Sequence, residues 1–191
     1  MLFRSERDFC DQKEEQLLID TCLTINTFFG WDFNSVETLR RAGTHYPIDF
    51  ANPCPDSQIN SIHYHWPWYL TSNLKWAVFV AATRREMPRN LDFSPYYAIA
   101  KKDLPYADKL VAYGKIARQR LQADKFENFC KKHLGPLEEA ANAWCRSDRL
   151  MDAARKKVAH LFPAHEVDEF TERFVSLVRR SVDEMEKESQ S

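Results

Sequence analysis

Four glycines in 191 residues constrain this chain more than any other feature. All-β folds spend glycine on turns with positive φ, and Rossmann or P-loop sites need it against phosphate. Four residues serve neither architecture, so helices must carry most of the fold. Gly30 follows a helical run of Leu18, Cys22, Ile25 and Phe29, at the position where a left-handed residue closes a helix. Ser5, with Asp8 three residues on, is a cap for that helix. Asn34 and Glu37 form a second cap signature, opening a short helix through Val36 and Leu39 that stops at Gly43. Three prolines then predict an irregular connection from Tyr46 to Pro55.

The remainder reads as helices separated by clear stops. Ser72 or Asn73 caps a run from Leu74 to Met87, ended by Pro88. Ser94-Pro95 opens another with proline in its first turn. Asp103 and Pro105 start the next, carrying Leu110, Val111, Ile116 and Leu121. Gly135-Pro136 separates a pair. Asp148 caps Leu150, Met151, Ala154, Val158 and Leu161, and Phe162-Pro163 ends that helix. Val167, Phe170, Phe174, Leu177 and Val178 mark a terminal helix. The expected class is mainly α, with about seven to nine helices.

One segment resists this pattern. Ile62, Tyr64, Trp66, Trp68 and Leu70 alternate with Ser61, His63, His65, Pro67 and Tyr69, which is the period of a half-buried strand. A helical stripe through Ile59, Ile62, Trp66 and Leu70 fits as well, and Pro67 damages both readings. The expectation is a small β element near 58–70, with a short edge strand from Ile62 to Trp66. The domain division that follows is 1–55 for N-terminal helices and the irregular connection, 56–188 for a main helical domain, and 189–191 for a polar tail.

Charge and cysteines narrow the function classes. Twenty-seven Lys and Arg against twenty-eight Asp and Glu leave a net charge of −1, unlike a dedicated nucleic-acid or anionic-membrane binder. Residues 101–133 nevertheless hold nine basic and four acidic side chains, a solvated helical face or a basic docking surface. No apolar run is long enough to span a membrane, and the N-terminus has no signal-peptide pattern. Five widely spaced cysteines without a CxxC pair point to reduced thiols in a cytoplasm and exclude the usual structural zinc spacing.

No nucleophile elbow, HExxH or paired-carboxylate motif is present, so the expectation is a chain without catalytic residues of its own. His63 and His65 would leave one face of a strand as a chelating pair needs, with His45 a third ligand only if the fold brings it near. Packing and hydrogen bonding are the commoner role for such a pair beside tryptophans, so no metal site is assigned. The aromatic segment is instead the candidate partner and peptide surface: Ile62, His63, Tyr64, His65, Trp66 and Trp68. Exposed Trp and Tyr are common interface anchors, and an edge strand takes an extended peptide by strand addition.

Two resemblances bear on function. The stretch LFPAHEVDEFTERF, Leu161 to Phe174, together with chain length and helical character, resembles the small helical partner subunit of the methanobactin biosynthesis pair. That resemblance implies a non-catalytic subunit in a heterodimer with a larger, iron-containing peptide-modifying oxidase. It also implies a short precursor peptide, bound during synthesis of a ribosomal peptide natural product, and iron held by the oxidase. The alternative is carried by Arg155-Lys156-Lys157-Val158-Ala159-His160, which resembles the Rx4H motif of HEPN ribonucleases. It implies a metal-independent, homodimeric ribonuclease in which Arg155 holds phosphate and His160 transfers protons. The family usually has an Asn-like residue after the arginine, where this chain has Lys156. A second Rx4H, Arg40 to His45, contains Gly43 and shows how readily the pattern arises by chance.

Overall fold

The computed structural model describes residues 10–52 and 54–190, with side chains described as far as residue 187. The chain is mainly α, as its glycine scarcity requires, with one small antiparallel sheet. In order along the chain it forms α1 (Gln12–Phe29), β1 (Ser35–Arg41), β2 (Thr44–Asn52), the single-turn α2 (Ile59–Ile62), a 3-10 turn (His63–His65), α3 (Trp66–Thr83), α4 (Ser94–Ala100), α5 (Tyr106–Leu121), α6 (Ala123–His133), α7 (Gly135–Arg146), α8 (Asp148–Val158) and α9 (Val167–Gln190). Among the described residues no helix is long and apolar enough to cross a membrane.

These elements build two compact units. The first takes described residues up to Pro55 and returns for 84–127; the second takes 56–83 and 128 onward.

In the first unit, the Asp11 side chain accepts from the Glu14 N–H and caps α1, and Gly30 closes it at φ 73°. The Ser5 cap lies outside the described residues. Helix α1 packs on α5, burying Leu18, Leu23, Leu110 and Ala117. Phe28 meets Phe93 and Tyr96 beside α4, and the hydroxyls of Thr27 and Tyr96 share a hydrogen bond of 2.7 Å.

The hairpin β1–β2 replaces both the short helix expected at 34–43 and the irregular connection expected at 46–55. Ala42 and Gly43 have φ of 50° and 75°, the two positive values of a type I′ turn, whose twist matches that of paired strands. Gly43 therefore joins strands rather than ending a helix. Pairing runs Arg41↔Thr44, Arg40↔His45, Leu39↔Tyr46 and Thr38↔Pro47, with irregularities between Ser35 and Thr38. Arg41 and Thr44 flank the two-residue turn as a hydrogen-bonded pair, and alternation makes Thr38↔Pro47 a pair without ladder bonds. The missing N–H of Pro47 thus costs the ladder nothing.

The small β element consequently sits at 35–52 and not near 58–70. Residues 59–83 are helical, with Ile62 ending α2 and Trp66 opening α3. Pro67 is tolerated because it is the second residue of α3, where no intrahelical acceptor awaits its N–H. The apolar positions Ile59, Ile62 and Trp66 belong to the helical stripe; the alternating pattern runs from the 3-10 turn of His63 and His65 into the start of α3, where Trp66 and Trp68 lie.

In the second unit, α7, α8 and α9 enclose a core of Ile59, Cys145, Leu150, Ala154, Val158, Phe174, Val175, Val178 and Val182. Arg146 on α7 grips Asp183 and Glu186 on α9 at 2.6–2.8 Å. These carboxylates hold the guanidinium well above its ordinary pKa. Helix α9 extends through Gln190, so the first residues of the expected polar tail are helical.

Candidate functional site

The hairpin is amphipathic in an unusual sense. Strand alternation puts Thr38, Arg40, His45 and Pro47 on one face and Leu39, Tyr46 and Ile48 on the other. The first face turns toward α1. Arg40 donates from Nε and Nη2 to Glu14 Oε1 at 3.0 and 2.7 Å, and His45 is buried. The second face is open, leaving Leu39 61%, Tyr46 51% and Ile48 55% exposed. Among the described residues the sheet has two strands only. The outer edge of β1 therefore presents the N–H and C=O groups of Thr38 and Arg40 for pairing.

Behind the hairpin lies a cluster of three potential ligands. Cys10 precedes the α1 cap, Glu14 is in the first turn of α1, and His45 is on β2. One ligand atom from each lies within 4.8 Å of the others. Cys10 Sγ is 3.8 Å from His45 Nε2, and His45 Nδ1 is 3.3 Å from Thr38 Oγ1. Burial, followed by the charge of Glu14, pushes the Cys10 thiol above its ordinary pKa. A cavity of about 370 Å³ adjoins the cluster, lined in part by Glu14, Gly43, His45, Tyr106 and Leu110.

The aromatic residues singled out from the sequence are in the second unit, half-buried and engaged within the chain. His63 stacks on Phe174, with ring centres 5.8 Å apart. The Tyr64 hydroxyl donates to Glu184, and Arg180 lies over its ring at 5.2 Å. His65 meets Tyr64 edge-on, and Trp66 packs against Trp144 at 5.8 Å. Ile62 is half-buried, and Trp68 Nε1 is buried with no hydrogen-bond partner among the described residues. As part of a 3-10 turn, His63 and His65 meet different neighbours instead of projecting from one strand face. His45 belongs to the other unit and to Cys10.

Arg155 and His160 are both exposed on the second unit. Arg155 pairs with Asp168, and His160 Nδ1 is 2.6 Å from the Lys156 carbonyl, bonding that closes the end of α8. The basic residues of 101–133 lie mainly on exposed faces of α5 and α6, although Arg120 reaches the Thr27 and Asp92 carbonyls and the Tyr96 ring.

Sequence reasoning missed Cys10, Glu14, Thr38, Leu39 and Ile48. A signal for the hairpin was present: a two-residue Ala-Gly between alternating segments rich in Val, Thr, Tyr, Ile and Phe. No signal joined Cys10 to His45, because only the hairpin's return brings them together. No protein-family profile, curated protein or solved structure matches the chain.

Proposed function

We propose that this chain is a non-catalytic partner subunit that holds a short precursor peptide for a larger peptide-modifying enzyme. The observation that carries the reading is the β1 edge with its exposed apolar face. A two-stranded sheet is marginal by itself in water, and Leu39, Tyr46 and Ile48 gain by being covered. An extended peptide pairing antiparallel or parallel to β1 would use the outward groups of Thr38 and Arg40. Its alternate side chains would stand beside Leu39 and extend the open apolar face that Leu39 shares with Tyr46 and Ile48 of β2. The resemblance of Leu161–Phe174 to the methanobactin partner subunit supports the same reading and adds an iron-containing oxidase as the larger partner, with the iron on that enzyme. The aromatic segment of α2 and α3 is a less favourable peptide site than its sequence pattern implied, since His63, Tyr64, His65 and Trp66 already have partners within the chain.

The test is co-expression with any peptide-modifying oxidase and short precursor peptide encoded beside this chain, followed by size exclusion and titration of that peptide with a fluorescent label. The reading expects a heterodimer and peptide binding that Leu39→Asp with Ile48→Asp abolishes while circular dichroism stays unchanged. A monomer that binds neither component contradicts it.

A further inference from the structure

We infer that Cys10, Glu14 and His45 form a zinc site in which the fourth coordination position opens to the adjoining cavity. The three side chains offer sulfur, oxygen and nitrogen, the donor set of three-ligand zinc sites that keep one position for water. Zn–S and Zn–N bonds of ordinary length at a tetrahedral angle place sulfur and nitrogen about 3.6 Å apart. Cys10 Sγ and His45 Nε2 stand at 3.8 Å. All three ligand atoms fit within 4.8 Å, so side-chain adjustment alone closes the set.

The surrounding groups hold the ligands as metal sites require. Thr38 Oγ1 at 3.3 Å can accept from His45 Nδ1–H, which fixes the tautomer and turns the Nε2 lone pair toward Cys10. Arg40 fixes Glu14 through Oε1 at 3.0 and 2.7 Å, leaving the second carboxylate oxygen for the ion. The cavity of about 370 Å³ reaches both Glu14 and His45, so water or a small donor ligand has access to the fourth position. Binding replaces the Cys10 thiol proton, which passes to solvent. The ion ties the start of α1 to β2 and so anchors the hairpin from its covered face. The site goes beyond the peptide-holding role and is independent of it.

The test titrates the purified, metal-free full chain with Co²⁺ and then Zn²⁺. The expected result is one Co²⁺ per chain with a thiolate-to-cobalt charge-transfer band, bleached when Zn²⁺ displaces it. Cys10→Ser abolishes the band, whereas Cys54→Ser, at the exposed cysteine, leaves it intact. Thr38→Val lowers zinc affinity by roughly tenfold or more, and His45→Ala and Glu14→Gln lower it at least as far. Circular dichroism of each metal-free variant confirms folding, and Thr38→Val and Glu14→Gln carry the test if Cys10→Ser does not fold. Absence of the band in the wild type, its survival in folded Cys10→Ser, or zinc affinity unmoved by His45→Ala overturns the assignment.

Discussion

Gly114 on α5 faces Asp20 on α1 so closely that a β-carbon at position 114 would stand 2.5 Å from Asp20 Oδ1 and 2.7 Å from Cγ. The glycine is there to let the two helices approach around a buried carboxyl. Gly114→Ala sets an overpacking cost of about 1–3 kcal/mol against a helix-propensity gain of about 1 kcal/mol. The expected outcome in urea denaturation is a net loss of up to about 2 kcal/mol. Placing the same change on an Asp20→Ala background removes the two closest contacts and leaves the Asp20 Cβ at 3.2 Å, so there Gly114→Ala should cost less than in the wild type.

Asp20 itself gives a pH signature. Its residue is 5% exposed, and burial raises its pKa above the ordinary 3.8, a cause that outweighs the lowering by the Gln16 hydrogen bond at 3.1 Å. A raised carboxyl pKa means the native state binds the proton more tightly than the unfolded chain. This group therefore opposes stability above its folded pKa, and the penalty fades as pH falls through that value toward the unfolded one. Asp20→Asn should raise Tm at pH 7, and the difference should vanish in acid. A Tm advantage that is constant with pH contradicts this account.

Leu150 is 1% exposed in the α7–α9 core. Leu150→Ala should cost about 2–5 kcal/mol, the range for a buried leucine whose site cannot fully collapse. Denaturant titration followed by circular dichroism reads the loss.

The cysteines should separate by reactivity. Burial pushes the Cys22 and Cys145 thiols up to about 11, so neither supplies thiolate at neutral pH. Cys54 is exposed. Alkylation of the folded chain with iodoacetamide, mapped by mass spectrometry, should label Cys54 first and reach Cys22 and Cys145 only on unfolding.

Helix ends were the most legible part of the fold, because the signals that make them are local. Gly30, Ser94-Pro95, Gly135-Pro136 and the Asp148 region mark boundaries through caps and fixed backbone angles that need no distant partner. The hairpin was hidden because Asn34–Glu37 imitates a capping box and Pro47 imitates a breaker. Only pairing shows that Pro47 occupies a position whose N–H the ladder does not use. The 62–68 segment failed in the opposite sense. Its alternation of large aromatics mimics a strand, yet Trp66 and His63 are placed by Trp144 and Phe174, more than seventy residues away. The candidate site shared that fate: the edge, the apolar face and the Cys10–Glu14–His45 cluster all depend on a turn of two residues and on what it folds back onto.

Amide hydrogen exchange on the full chain, with and without the precursor peptide, reads the β1 edge residue by residue. The Thr38 and Arg40 amides at that edge are expected to exchange more slowly when peptide is added. Unchanged exchange at Thr38 and Arg40, with slowing confined to residues 62–68, would contradict peptide pairing at β1.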